Sequence, residues 1–354
     1  MLNLRIVQGP LEDRLNEAIL SGYNSFYRFP MSPENYRRWT QENPEGPACH
    51  ALLQTDGGEL AGHFCLIPFR MKYGDAEVIA AKTEYYFIKR DYRTERIHGF
   101  EGSPWPAAVV LLAQLYRHCR TLNWDPCIAS CPRGVDVLHR MAGCRPVTFP
   151  LFECLLVLRP LRSASATPNL TAKQRVLLFL TGTAQRTAWS LAMPFVPRAN
   201  GICSVRVSDL IKPLREPSVL RFTEDKDFLA WRYPESQYFR MGSSQACDDD
   251  FVIVKNGSDS RYLRVCQYRL DSESLPLSSV LMNLIATARA QDALGVRWAV
   301  YGEGEMPARL IGAMRKLGFL CARRERTLMV YASDKELLQP SGWKMSDSFV
   351  SFDN

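Results

Sequence analysis

Cys127, Cys131, His139 and Cys144 form a C-x3-C-x7-H-x4-C pattern whose four side chains are all able to bind zinc. Structural zinc sites put ligand pairs on tight knuckles, commonly with about two residues between them. Here Cys127 and Cys131 bracket a strand-like run, and Cys144 follows a helix-stopping glycine. The pattern therefore reads as buried thiols packing like small apolar side chains, and no metal is expected. Glu84 is a carboxylate among apolar neighbours, surroundings that raise a carboxyl pKa. The competing reading pairs it with Lys82 or Lys89 on a solvent face. Trp231, Arg232, Tyr233 and Tyr238 gather aromatic and cationic groups suited either to a substrate pocket or to core packing. Cys247 and Asp248–Asp250 read as a solvated turn, with cation binding as the sharper alternative. No Gly-x-Ser-x-Gly elbow and no Walker loop is present, so serine hydrolysis and P-loop chemistry have no support.

The elements that position these groups belong to an ordinary globular chain of 354 residues, 46% hydrophobic and 23% charged. Two domains are expected, and disordered, collagen-like and heptad-repeat architectures are excluded. The longest uncharged apolar stretch, Gly102 to Tyr116, is 15 residues with two prolines, too short for the roughly 20 residues of a membrane span. Glu12 and Asp13 stand where a cleaved leader would be apolar. Eleven cysteines at irregular spacing fit reduced thiols and a cytoplasmic location. The net charge of +7 is concentrated. Residues 1–160 carry 18 Lys/Arg against 17 Asp/Glu, residues 217–354 carry 18 against 18, and residues 161–216 carry 8 against 2. A basic connector of this kind is usually solvated or lies against an acidic face, so nucleic acid is not the expected partner.

Residues 11–41 read as two helices, with Ser32 as a cap for the second. Cys49–Leu53 and Leu60–Arg70 read as strands around the Asp56-Gly57-Gly58 turn. Ala76–Lys89 supplies two more, the second being Thr83–Ile88. After the polar stretch Asp91–Ser103, Trp105-Pro106 opens an apolar helix over Ala107–Thr121. A strand at Cys127–Cys131, a short helix at Val135–Ala142 and a strand at Phe152–Leu158 complete this half. The pattern is α/β with a mixed sheet. Residues 159–175 have linker composition. Val176–Val196 reads as an amphipathic helix, packed on a domain rather than on a membrane surface. In the second half, strands at Asp250–Lys255 and Arg261–Leu270 flank Asn256-Gly257. A helix at Pro276–Gln291, a strand at Arg297–Tyr301, a helix at Pro307–Leu317 and a strand at Arg326–Tyr331 follow. The order strand–strand–helix–strand–helix–strand thus occurs twice.

Ile88-Lys89-Arg90-Asp91-Tyr92-Arg93 resembles the end of the fourth strand and the start of the cofactor loop in GNAT-type acyl-CoA N-acyltransferases. Leu138–Cys144 and Arg315-Lys316-Leu317-Gly318-Phe319 resemble that family's short helix and following turn, once in each half. Phe228–Tyr233 with Pro234 and Tyr238, and the ending Trp343…Ser346-Asp347-Ser348, are similar to segments of two-lobed bacterial members. The resemblance implies two tandem GNAT-like lobes, each a mixed, mostly antiparallel sheet flanked by helices. They would be an N-terminal lobe over 1–160, a basic linker and connecting helix over 161–216, and a C-terminal lobe over 217–354.

It further implies transfer of an acyl group, acetyl by default, from acyl-CoA to an amine of a small metabolite or sugar by direct attack. The cofactor residues would be Phe87, Ile88, Arg93, Arg96, His98, Gly99, Gly102 and Ser103, because small residues let backbone amides approach a pyrophosphate at a helix N-terminus. Counted from Arg93, the family's glycine positions hold Arg96 and His98. A shifted frame puts Gly99 and Gly102 before the helix, with Glu101 between them. Leu275–Ser279 opens the second lobe's helix without glycine, so that lobe is expected to bind no coenzyme A. Glu84 would be the base for the ammonium proton and His139, against a plain surface role, the acid for the thiolate. Trp231, Arg232, Tyr233 and Tyr238 would contact the acceptor. Two other readings stay open: a FemAB-like transferase using aminoacyl-tRNA, which the basic connector could contact, and a non-catalytic GNAT-fold binding or scaffold protein. The oligomeric state is not encoded in any of these features.

Overall fold

A computed structural model describes residues 2–27, 30–99, 102–130, 135–166, 171–192, 202–205, 220–223, 225–243, 250–256, 262–270 and 277–345. Glu101, Cys131, Cys247–Asp249, Gly257, Leu275, Pro276 and Ser346–Ser348 lie outside them. The chain divides into two compact units. One comprises Met1–Thr148, Arg215–Thr223 and Thr327–Lys344; the other comprises Phe149–Leu214, Glu224–Arg326 and Met345–Asn354. Sequence halves and compact units therefore do not coincide, because strands are exchanged.

The first unit begins with β1 (Leu2–Gln8), α1 (Asp13–Phe26) and α2 (Pro33–Thr40), and continues with β2 (Cys49–Thr55), β3 (Leu60–Tyr73) and β4 (Ala76–Ile88). β5 (Arg96–His98) and β6 (Pro104–Pro106) form a small hairpin before α3 (Ala107–Thr121), which leads to β7 (Trp124–Ala129) and α4 (Asp136–Met141). β1 to β4 pair antiparallel in sequence order. β7 joins parallel to β4 through the α3 crossover, as a parallel connection requires. β1 was not anticipated. Its alternation of Leu2, Leu4 and Ile6 with polar residues places those three against the core built on α3. Ala76–Lys89, expected as two strands, is one strand carrying an irregularity near its end. Ser32 caps α2, accepting from the Asn35 amide at 3.2 Å.

β8 (Arg145–Val157) is followed by α5 (Pro160–Ala166), α6 (Ala172–Ala192), β9 (Ile202–Val205) and β10 (Leu220–Phe222). Then come α7 (Lys226–Arg232), β11 (Tyr238–Ser243), β12 (Phe251–Lys255), β13 (Tyr262–Arg269), α8 (Leu277–Ala290), β14 (Gly295–Tyr301), α9 (Glu305–Lys316) and β15 (Leu320–Tyr331). Within the second unit the strands run β8-β14-β13-β12-β11-β9. β13 and β14 are parallel, joined by α8, whose buried Val280, Leu281, Leu284, Ile285 and Ala288 fill the core. In the linker segment Arg159 and Arg162 both pair with Asp292. The amphipathic helix α6 leaves Val176, Leu177 and Leu180 exposed. Its buried Gln185 bonds the β8 backbone, accepting from Val157 N at 3.0 Å and donating to Leu155 O at 2.9 Å. No helix among the described residues is long and apolar enough to cross a membrane.

Each unit is closed by a strand from the other half of the sequence. The end of β15 pairs with β7, Met329↔Ala129 to Tyr331↔Cys127, in the first unit. β8 pairs with β14, Leu151↔Tyr301 to Val157↔Gly295, in the second. This last contact sets a strict size limit, since a Cβ on Gly295 would lie 1.8 Å from the Leu156 carbonyl oxygen. Gly312, on α9, has open space around it. Gly295→Ala is therefore expected to lower unfolding free energy by about 1–3 kcal/mol through overpacking. Gly312→Ala is expected to raise it by about 0.5–1 kcal/mol through helix propensity. Chemical denaturation of both variants measures the contrast.

Candidate active site

Side chains alternate along β4, so Lys82 and Glu84 share one face and Thr83 takes the other. Lys82 is ion-paired with Glu84, and the lysine side chain is 1% exposed against 21% for the carboxylate. The pair is thus neither a solvent-face bridge nor a sealed one. Its carboxylate end reaches solvent while its ammonium end is buried. Lys89, the other partner considered, pairs with Glu59 at 2.8 Å.

Immediately after Glu84 the β3–β4 register slips. His63 sits opposite Phe87 and Cys65 opposite Glu84, which leaves Tyr85 and Tyr86 together against Phe64. This is a β-bulge, a device that re-aims backbone groups within a sheet. Tyr85 takes φ +48° there, the left-handed region, which costs a non-glycine residue about 1 kcal/mol or more. Packing compensates. The Tyr85 ring lies edge-on to Tyr23 of α1 at 5.5 Å and against Tyr36 of α2 at 5.4 Å. Both bulge carbonyls are held by side chains: Tyr86 O accepts from the Tyr27 hydroxyl at 2.9 Å, and Tyr85 O lies 2.7 Å from His63 Nδ1.

The β4–β7 pairing ends at the same place. Its parallel register runs from Ile79↔Trp124 to Lys82↔Ile128. β4 continues through Thr83–Ile88, whereas β7 ends at Ala129. On the α3 face of β4, Thr83 Oγ1 lies 3.2 Å from the Tyr116 hydroxyl, which lies 2.7 Å from His139 Nδ1. Tyr331 of β15 stacks on Tyr116 at 5.1 Å. His139 is fully buried, not a surface histidine. Burial pulls its pKa down to about 4, partly opposed by Asp136, so near pH 7 it is a neutral imidazole. Burial also pushes the Tyr116 phenol up, keeping it protonated. Among the cysteine–histidine set, Cys127 Sγ faces Trp124 O at 3.5 Å while His139 turns to Tyr116. Among the described residues no group of three or more metal-binding side chains assembles.

The segment before α3 forms the β5–β6 hairpin, which carries several residues expected to bind the cofactor. The Gly99 amide donates to Ser103 O at 3.1 Å, and the Ala107 amide, first in α3, donates to Glu95 O at 3.0 Å. Gly99 also packs tightly, since a Cβ there would lie 2.9 Å from Val110. Gly102 has φ +75° and open surroundings, and Ser103 is exposed beside it. Arg96 and His98 are exposed on β5, with His98 Nδ1 3.2 Å from Gly102 O. Arg93 lies over the Phe26 ring at 5.0 Å and donates to Ile88 O at 3.2 Å. Phe87 is buried, its side chain packed against Phe26 and Gly22. Arg93, Arg96 and His98 thus present exposed basic side chains in this region, whereas the Gly99 amide is taken within the hairpin.

Trp231, Arg232, Tyr233 and Tyr238 belong to the second unit. Tyr233 and Tyr238 are buried with Leu229, Phe251, Ile253 and Cys266, and the Tyr233 hydroxyl donates to Gln267 at 2.7 Å. Arg232 is buried over the Tyr233 ring at 5.1 Å, and Trp231, half-buried, leans on Phe228. Arg232, Tyr233 and Tyr238 are thus buried within this unit, and Trp231 lies at its edge. The residues that the sequence reading missed are His63, Tyr85, Tyr116 and Tyr331. Only the TEYYF run next to Glu84 hinted at them. A bulge, a helix-to-helix hydrogen bond and an exchanged strand leave no local periodicity.

No family model matches the sequence, and no curated protein matches it. Solved structures do. A tandem GNAT protein from the clavulanic acid biosynthesis pathway matches with TM-score 0.54 and 12% identity, over 94% of this chain and 99% of that one. A GCN5-related N-acetyltransferase from Kribbella flavida matches with TM-score 0.51 and 17% identity, over 94% and 72%. Saccharomyces cerevisiae N-myristoyltransferase with bound myristoyl-CoA matches with TM-score 0.54 and 11% identity, over 93% and 79%. The chain has the two-lobed GNAT-type fold.

Three buried imidazoles, His50, His63 and His139, give the first unit a defined pH response, and burial holds His50 well below its ordinary value. His63 and His139 both have pKa values lowered by burial to about 4, below the ordinary value of about 6.5. Between those limits the unfolded chain binds protons that the folded chain refuses, so stability falls as pH falls. The expected slope is about 1.4 kcal/mol per pH unit for each group. Urea denaturation at pH 7, 6, 5 and 4.5 checks it, and His139→Gln is expected to flatten the slope.

Proposed function

We propose that the chain is an acyl-CoA-dependent N-acyltransferase whose first unit carries the active site, with acetyl the default group and an amine of a small metabolite or sugar the acceptor. The observation that carries this reading is the bulge at Tyr85–Tyr86 beside Glu84, whose side chain is 21% exposed, where the β4–β7 pairing ends. In this reading an extended pantetheine arm lies beyond the end of that pairing. A bulge turns a backbone amide out of the ladder, and such a donor stabilises the oxyanion that forms when an amine attacks a thioester.

In this reading the acceptor nitrogen attacks the thioester carbonyl carbon, forming the C–N bond while the carbonyl electrons move to oxygen. The Tyr86 amide donates to that oxygen. Glu84 takes the proton from nitrogen, and collapse of the intermediate breaks the C–S bond. His139 is held by Tyr116 with one ring nitrogen engaged. Fully buried and neutral, it supports the Tyr116 hydroxyl rather than acting as an imidazolium acid, and the sulfur leaves as the thiolate. The exposed Arg93, Arg96 and His98, with the open backbone at Gly102 and Ser103, are the groups for the diphosphate. The non-catalytic reading draws support from one observation, the engagement of the Gly99 amide within the hairpin.

Calorimetric titration with acetyl-CoA separates the two readings. Saturable binding is expected for the intact protein and, with Kd changed by less than about threefold, for Glu84→Gln. Thiol release from acetyl-CoA in the presence of amino sugars and small-metabolite amines is expected to fall by about 100-fold or more in Glu84→Gln. Absence of acetyl-CoA binding would support the scaffold reading.

A further inference from the structure

Of the eight cysteines whose side chains are described, seven are buried and Cys321 is half-buried. Cys321 stands near the start of β15, which lies beside β8 in the sheet, and Cys154 stands on β8; both belong to the second unit. Side-chain contacts set the register between the two strands. Thr148 Oγ1 lies 2.9 Å from Thr327 Oγ1, and further along β8 Glu153 pairs with Arg324 at 3.9 Å and Arg326 at 3.7 Å. As the numbers rise on β8 they fall on β15, so the strands are antiparallel. Six residues on from Thr148 and six back from Thr327 stand Cys154 and Cys321, on the same face because side chains alternate along a strand. Their sulfurs are within hydrogen-bonding reach of each other. Opposed residues of antiparallel strands have Cα atoms about 4.5–5.5 Å apart, inside the range of about 4.4–6.8 Å that a disulfide spans.

The two thiols differ in their surroundings. Cys154 is fully buried in the core with Leu156, Trp298 and Met314. Cys321 packs on the edge of that core, and the exposed Arg315, in the last turn of α9, hydrogen-bonds to it. Hydrogen bonding from Cys154 and the Arg315 guanidinium hold the Cys321 thiol below its ordinary value, against the effect of burial. Hydrogen bonding to Cys321 and burial push the Cys154 thiol up. One sulfur is thus a reachable nucleophile and the other its protonated neighbour. We infer that Cys321, activated by Arg315, and Cys154 form a hydroperoxide-responsive thiol pair, in which Cys321 is oxidised first and Cys154 resolves it as a disulfide between β15 and β8. With hydrogen peroxide, the Cys321 thiolate attacks one peroxide oxygen. The S–O bond forms, the O–O bond breaks, and the departing hydroxide takes up the proton that Cys321 had lost, giving water and a sulfenic acid. The Cys154 sulfur then attacks the Cys321 sulfur. The S–S bond forms, the S–O bond breaks, and the Cys154 proton leaves with the hydroxyl as a second water. Two thiols are oxidised and one peroxide is reduced by two electrons. Cys119 likewise meets Cys127 and Cys49, but all three are buried, so that group has no reachable member.

The test exposes the reduced, folded full chain to a few equivalents of hydrogen peroxide, blocks the remaining thiols and maps the peptides by mass spectrometry. A cross-linked peptide joining Cys154 to Cys321 is expected as the main product, and dithiothreitol is expected to remove it. In Cys154→Ser nothing resolves the sulfenic acid, so its adduct with dimedone on Cys321 is expected to rise by about tenfold or more over the unaltered protein. In Cys321→Ser, Cys154 is expected to stay reduced. Arg315→Met changes an exposed side chain and is expected to slow alkylation of native Cys321 by iodoacetamide at neutral pH by about threefold or more. Circular dichroism on each reduced variant establishes that it is folded before peroxide is added. Any of three results would overturn the inference: a main oxidation product at other cysteines, no trapped sulfenic acid on Cys321 in folded Cys154→Ser, or an unchanged alkylation rate in Arg315→Met.

Discussion

A peptide group cannot turn one end without turning the other, and the first unit depends on that constraint at one bond. The Tyr85–Tyr86 peptide is rotated out of the β3–β4 ladder, with Tyr85 in the left-handed region. Left alone, a strand would not hold this shape, because a regular ladder satisfies more backbone groups. It persists because three elements converge on it: tyrosines of α1 and α2 around the Tyr85 ring, the Tyr27 hydroxyl on one carbonyl, and a buried imidazole on the other. Strain of this size is usually maintained where geometry is needed for function.

The same strand separates two kinds of polar environment. On the side of α1 and α2 stand the Lys82–Glu84 pair and the histidine pair. On the side of α3 stands the Thr83–Tyr116–His139 chain. The second is covered by β15 beyond β7, since Tyr331 stacks on Tyr116 and a Cβ on Gly143 would lie 3.2 Å from Tyr331. Burial keeps the histidines neutral, so they act as directional hydrogen-bonding groups rather than as charges. Glu84 and Lys82 are the charged members, and only the carboxylate end of that pair meets solvent to any extent.

Much of the architecture was legible in the sequence because it is written in local patterns. The apolar run over Ala107–Thr121 after Trp105-Pro106, the turn at Asp56-Gly57-Gly58 and the repeated order of elements all follow from periodicity and turn chemistry. Glu84 was legible as an unusual carboxylate in an apolar strand, and its pairing with Lys82 was one of the two readings open to it. What could not be read was long-range. His63 lies 22 residues from its carbonyl partner and Tyr116 lies 23 from His139, separations that no spacing rule connects. Trp231–Tyr233 carried the residue types of a pocket, yet they serve the interior of the second unit. Residue type alone does not distinguish the two uses. The division at residue 160 failed to match the compact units for a similar reason: composition marks linkers, not the destination of a strand.

That mismatch has a consequence for how such a chain can arise and be handled. A gene cut at its midpoint would yield two polypeptides, each missing the ribbon that finishes its own sheet. The first would end with the outer rim of β7 unprotected, and the second would lack β8 beside β14. Bare rims of this kind recruit other molecules, often as aggregates. The covalent link between the halves is therefore more than a tether, since it delivers each missing ribbon at an effective concentration that no mixture of separate fragments would match.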